Sequence, residues 1–192
     1  MIELEKNDTC FPEILKKIPK VPERIYVEGV KDLLNTNCIS VVGSRNCTEY
    51  GRKWCEIFVK ELIKYNVTIV SGMAIGIDAI SHKVAIEEGG KTIAVLPSGL
   101  KNVYPSCNRK LFNEILEYGG AVITEYKPDV EANYNKFLER NRIVTGLSFA
   151  TLVVEAGFRS GTSVSAKLAF EQKRDVFCIP RKFRKCKKCW NK

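Results

Sequence analysis

The chain has 192 residues, 45% of them hydrophobic, enough to bury one substantial core and form one main domain. No run of 18 apolar residues occurs, which excludes a helical membrane span; the mixed-charge start Met1-Ile-Glu-Leu-Glu-Lys-Asn-Asp8 has no apolar signal core, so a cytoplasmic address is expected. The net charge of +9 is concentrated: seven basic residues and no acid lie in 181–192, leaving 24 basic against 22 acidic elsewhere. A general polyanion coat is therefore excluded. The basic tail reads either as a non-specific phosphate contact or as a solvated end.

In chain order, residues 1–36 read as an irregular lead-in with a short helix around Glu13–Ile18, breakers at Pro19 and Pro22, and a strand-like Arg24–Val27. Short β-branched apolar runs follow at 38–42, 67–70, 92–96, 121–124, 151–154 and 176–179, without the polar alternation of a half-exposed sheet. Helical stretches are expected near 48–65, 76–89, 107–118 and 160–173, with Trp54, Phe58 and Leu62 as the core stripe of the first. This alternation predicts an α/β fold: an open, mostly parallel, doubly wound sheet with helices on both faces over 37–180. The basic tail over 181–192 completes the expected organisation. Arg24–Val27 and the helix near 107–118 are candidate contact elements for a homodimer.

Three strands run directly into glycine- and serine-bearing turns. They are Val41-Val-Gly-Ser-Arg45, Ile69-Val-Ser-Gly72 with Gly76, and Val153-Val-Glu-Ala-Gly157 with Ser160, Gly161 and Thr162. In a doubly wound sheet these turns share the edge where ligands bind. Glycine lets backbone approach closely, and the following helix offers free N–H groups that suit phosphate. Gly43, Ser44, Arg45, Ser71, Gly72, Ser160, Gly161 and Thr162 are thus candidate anion-binding residues: helix capping is the better reading of each hydroxyl taken singly, and their clustering is what favours an anion site.

The segment Phe137-Leu-Glu-Arg-Asn-Arg142 adds Lys136, Phe137, Arg140, Asn141 and Arg142, since two arginines between buried runs imply an anionic counterpart. Phe137, near Tyr134, is either a core residue or a stacking face of the kind single strands use. No turn carries a Walker loop or a G-x-G-x-x-G fingerprint, which disfavours a common NTPase or NAD enzyme. Asp78, Glu125 and Glu155 could hold a ribose or an arginine. The single histidine, His82, has no acidic partner in sight and packs or caps more often than it catalyses. No catalytic residue and no cofactor are expected. The eight cysteines read as reduced thiols, and Cys186-Lys-Lys-Cys189 as half a zinc site lacking its second pair, so no metal is expected.

Several of these motifs together resemble the DNA-processing protein A (DprA/Smf) family. They include Phe11-Pro-Glu-Ile-Leu15, Val41-Val-Gly-Ser-Arg45 with Thr48-Glu-Tyr-Gly51, and Ser71-Gly-Met-Ala-Ile-Gly-Ile-Asp78. Thr92-Ile-Ala-Val-Leu-Pro-Ser-Gly-Leu100, Tyr104-Pro105 with Asn108, Arg140-Asn-Arg-Ile-Val-Thr-Gly-Leu-Ser148 and Leu152-Val-Val-Glu-Ala156 continue the same order. The resemblance covers about residues 10–180. It implies an extended Rossmann-like core that binds single-stranded DNA, self-associates and delivers that DNA to the RecA recombinase in natural transformation. It also implies that Arg45 and the segment from Lys136 to Arg142 belong to the DNA pocket.

The chain departs from the family at Leu138, where a proline is usual, which implies a looser turn, and after Pro180, where a basic tail replaces glycine and a further domain. Two other readings remain beside DNA binding. One is a sensor that takes a small phosphate-bearing nucleotide in the same pocket. The other is a nucleotide phosphoribohydrolase, opposed by Ser165, which stands where that resemblance would need an acid.

Overall fold

The computed structural model describes residues 1–157 and 160–180. The basic tail and Cys186 and Cys189 lie outside the described residues. Eight strands form one sheet: β1 (Ile2–Glu5), β2 (Arg24–Gly29), β3 (Cys38–Gly43), β4 (Thr68–Ser71), β5 (Thr92–Val95), β6 (Ala121–Thr124), β7 (Ala150–Glu155) and β8 (Asp175–Cys178). Five α-helices join them: α1 (Glu49–Lys64), α2 (Ile77–Glu87), α3 (Arg109–Glu117), α4 (Tyr134–Gly146) and α5 (Gly161–Glu171). The strand order is β1-β2-β6-β5-β4-β3-β7-β8, with every neighbouring pair from β6 to β8 parallel. The α/β, doubly wound reading of the sequence is what the chain adopts.

The lead-in is more ordered than its sequence suggests. β1 pairs antiparallel with β2, and β2 antiparallel with β6, so both extend the central sheet. Four residues of mixed charge, of which only Leu4 is buried, give β1 too short a pattern to read. β2 has strands on both sides, so neither of its edges is open for further strand pairing.

Helices α1, α2 and α3 cover one face of the sheet, and α4 and α5 the other. Over α4 and α5, Ile143, Val144 and Leu147 pack with Leu15 and Ile18 against Val42, Val70, Ile93 and Val153. On the opposite face, Cys55 and Val59 of α1 meet Ile77, Ile80 and Val84 of α2 over Val41, Ile69 and Leu152. The buried stripe of α1 is therefore Gly51, Cys55 and Val59; of the stripe read from the sequence, Leu62 packs on this core, while Phe58 stays exposed and Trp54 half-buried. Small residues on that side bring the helix closer to the sheet than a tryptophan would allow.

Helix α4 is absent from the sequence reading. Its N-cap, Asn133, accepts a hydrogen bond from the Lys136 N–H at 3.0 Å. Leu138 lies inside this helix, so it continues regular structure where a loosened turn was expected.

His82 packs, as read. It is wholly buried, and its Nδ1 lies 2.6 Å from Thr92 Oγ1, which itself donates to the Ile69 carbonyl. That assigns the proton to Nδ1 and leaves Nε2 without a partner. Burial, with the nearby Arg140 charge, pushes its pKa down to about 3. The unfolded chain titrates near 6.5, so this group's stabilisation is complete above that pH. It is lost on acidification between 6.5 and 3, at up to about 1.4 kcal/mol per pH unit. Urea denaturation at pH 7 and pH 5 should show a loss of about 2 kcal/mol that His82→Gln abolishes. Asp78 has the opposite sign, its carboxyl raised by burial, and is common to both chains, so their difference isolates His82.

Candidate nucleic-acid interface

The chain runs outward from β3 through β4 and β5 to β6, then α4 carries it back across β3 to β7. The crevice between the carboxyl ends of β3 and β7 is the switch point, where such sheets bind ligands. A cavity of about 730 Å³ opens there. Its walls come from the turns after β3, β4 and β7 and from the first turns of α4 and α5. Ser160 caps α5 by accepting from the Ser163 N–H at 3.3 Å. The amino ends of α4 and α5 thus face one space, each presenting unpaired N–H groups and the positive end of a helix dipole.

Among the candidate residues, Gly43, Ser44, Arg45, Gly72, Phe137, Arg140, Asn141, Ser160, Gly161 and Thr162 line this cavity. The exposed Arg45 lays its guanidinium over the half-buried Phe137 ring, 4.9 Å from the centroid, and Tyr104 meets the same ring edge-on at 5.3 Å. Such a cation–π contact contributes about 0.5–1 kcal/mol and holds the arginine at the mouth. The close approach of backbone at Gly72 is required. A Cβ there would come within 2.6–2.7 Å of the Arg140 guanidinium. Gly76 has φ of +81° and packs against the carbonyls of Ser44 and Arg45, which seats the start of α2 beneath the first turn.

Arg140 is a structural cation as much as a lining one. It is 3% exposed and donates to the Gly72 and Val95 carbonyls, tying the ends of β4 and β5 to α4. Burial lowers its pKa to about 10, while the Asp78 carboxylate favours its charged form. Asp78 is raised by its own burial and held down by Arg140, so each supports the other's ionised state.

Three candidates point elsewhere. Arg142, two residues along α4 from Arg140, emerges on another side of the helix, because that step turns it by about 200°. Its two terminal nitrogens grip Glu125 Oε1 and Oε2 at 2.8 and 2.5 Å, both side chains being 15% exposed. Lys136 donates to the Glu131 carbonyl at 2.6 Å and leans on Tyr126. Ser71 is buried within the sheet, where its hydroxyl donates to the Val41 carbonyl at 2.6 Å. None of the three lines the cavity. Arg142→Ala should therefore leave ligand affinity within about twofold of wild type while costing about 2 kcal/mol in urea denaturation, because Glu125 is left half-buried and unpaired.

Glu125 thus holds an arginine, one of the two roles read for it. Glu155 accepts from the Thr48 N–H and hydroxyl at 2.9 and 3.1 Å, at the first turn of α1. Tyr104, Asn46 and Asn133 also line the cavity and were not among the candidate site residues, although Tyr104 stands in one of the motifs that carry the resemblance. Asn133, three residues before Lys136, had a legible capping spacing; Tyr104 had no local signal. Among the described residues, no group of three His, Cys, Asp or Glu side chains converges on a metal position, and no helix is long and apolar enough to cross a membrane.

Comparison with known proteins follows the same lines. The model of the DNA recombination-mediator protein A family matches residues 4–191. Protein Smf of Escherichia coli is 42% identical over 170 residues, spanning 88% of this chain and 46% of that protein. DNA processing protein DprA of Streptococcus pneumoniae is 39% identical over 173 residues, 90% of this chain and 61% of the relative. The chain spans about half the length of the curated relatives it matches. The X-ray structure of DprA from Streptococcus pneumoniae superposes with a TM-score of 0.90 at 38% identity, over 96% of this chain and 64% of that one. DNA processing protein A from Helicobacter pylori, solved for its single-stranded DNA binding mode, gives 0.84 at 31% identity, over 95% and 82%. A molybdenum cofactor binding protein from Rippkaea orientalis shares the fold alone, with a TM-score of 0.54 at 19% identity. A switch-point cavity of this kind, on a sheet of this order, sits in a chain that belongs to the DNA recombination-mediator protein A family.

Proposed function

We propose that this chain binds single-stranded DNA in the switch-point cavity and its mouth. In this reading the phosphates meet Arg45 and the amino ends of α4 and α5, and a base meets the exposed edge of the Phe137–Tyr104 pair. Gly43, Ser44, Gly72, Asn141, Ser160, Gly161 and Thr162 shape the berth by letting backbone come close. Arg140 fixes the floor, and Lys136, Arg142 and Ser71 take no part. The observation that carries this reading is the stacked Arg45–Phe137 pair at the rim of a cavity faced by two helix amino ends.

The family membership supports the polymer over other anions, as does the binding mode described for the Helicobacter pylori protein. By the same resemblance, the protein acts in the cytoplasm as a homodimer that protects incoming strands and hands them to the RecA recombinase. No bond is made or broken in this role.

The cavity volume also lies within the range of small-ligand sites, which keeps a nucleotide as the second reading. Fluorescence anisotropy with labelled oligothymidine, competed by AMP and cyclic dinucleotides, separates the two. Saturable oligonucleotide binding that excess nucleotide fails to displace supports the polymer. Tight nucleotide binding without oligonucleotide binding overturns it.

A further inference from the structure

Glu155 ends β7 beside the cavity without lining it. Its carbonyl accepts from the Ser44 N–H at 2.8 Å. One carboxylate oxygen, Oε2, accepts from both the N–H and the hydroxyl of Thr48, at 2.9 and 3.1 Å. Ser44 and Thr48 are the two ends of the loop between β3 and α1, and Arg45 stands within it. Thr48 in turn accepts from the Gly51 N–H at 3.2 Å, so the same oxygen steadies the first turn of α1.

Two features of the backbone make this contact possible. Leu152 and Val154 pack on the α1 side of the sheet and Val153 on the other, an alternation that would send Glu155 away from α1. The pairing of β3 with β7 shifts by one residue between Val42 and Gly43, and that bulge turns the glutamate back toward the helix. Gly51 then lets it in. A Cβ at that position would lie 2.2 Å from Oε2, and the three nearest atoms it would meet all belong to Glu155.

We propose that Glu155 is a positioning residue for the anion site, a role that rests on the DNA-binding reading above: it holds the Arg45 loop by both ends, so that the guanidinium stays over Phe137 at the cavity mouth. A single exposed cation–π contact is too weak to fix a loop alone, so the shape of this one is set at its ends. Ser44 has a second tie, its carbonyl accepting from the Ile77 N–H at 3.2 Å, so the Thr48 end is where loss of the carboxylate tells. The charge of Glu155 sets the sign of the effect. A carboxylate near a polyanion repels it, and removing one that had no hold on Arg45 would raise affinity. Removing one that positions Arg45 lowers it.

Three variants separate the hold from the charge. Glu155→Gln drops the charge but keeps a carbonyl oxygen able to accept both Thr48 bonds, so oligothymidine affinity should rise or stay within about twofold of wild type. Glu155→Ala should weaken binding by about fivefold or more. In an Arg45→Ala background the same change should alter affinity by less than about twofold. Gly51→Ala, whose methyl favours the helix but displaces the carboxylate, should match Glu155→Ala. A measurement without DNA reads the loop itself, because Cys47 lies half-buried within it. Peptide mass mapping should find Cys47 alkylated by iodoacetamide about threefold faster or more in Glu155→Ala and Gly51→Ala than in wild type or Glu155→Gln. Affinity that rises in Glu155→Ala, affinity that falls equally in the Gln and Ala variants, or Cys47 rates that do not move would each overturn the proposal. Faster Cys47 alkylation with unchanged affinity would uphold the hold on the loop and remove Arg45 from the DNA-binding reading instead.

Discussion

Arg140→Met is expected to destabilise the fold by about 4 kcal/mol, the largest loss of any single change in the cavity wall. The side chain is nearly the right length, so the loss is electrostatic rather than a void. The Gly72 and Val95 carbonyls would lose their charged donor, and Asp78 would remain buried without its cation. The sign with pH follows. Asp78 is already raised by burial and would rise further without Arg140, so its ionised form would burden the fold as pH climbs through that value. The deficit in urea midpoints should accordingly be larger at pH 8 than at pH 5. Gly72→Ala should reproduce much of the loss by pushing the guanidinium out of place. A deficit below 1 kcal/mol, or one independent of pH, would show that this cation does not hold the sheet edge together.

The second large effect falls on binding. Arg45→Ala should weaken oligothymidine binding by about tenfold to a hundredfold, by losing one phosphate contact and the stacked plane beside the base. The plot of log affinity against log salt should flatten by about 0.7, the value for one phosphate on a single strand. Phe137→Ala should cost a comparable amount. Because the guanidinium rests on that ring, the double variant should lose less than the sum of the two. Additive losses would mean that the two residues serve different parts of the ligand. Unchanged affinity in both variants would remove this mouth from the DNA path.

The sequence displayed the fold more openly than the site, for reasons visible in particular residues. Buried parallel strands need apolar residues on both faces, and Ile69, Val70, Ile93, Val122 and Ile123 leave little else to read. The glycine turns were legible because a ligand edge needs close backbone, and ten of the thirteen candidates line one cavity. Helix α4 was hidden because Arg140, the residue it turns inward, is charged, which erases the apolar period. Without the helix, its two arginines looked equivalent. With it, their offset around the axis separates one that lines the cavity from one that clamps Glu125. In α1 the period was plain but its phase was not, since two apolar rows compete and the smaller side chains face the sheet.

Glu155 has a consequence for how a ligand can sit. Its carboxylate, fixed on Thr48, already fills the first turn of α1. The amino ends of α4 and α5 are turned to the cavity with unpaired N–H groups, whereas that of α1 is already met by a carboxylate. A strand lying there would meet unlike helix ends on its two flanks, so its two chemical directions would differ in energy.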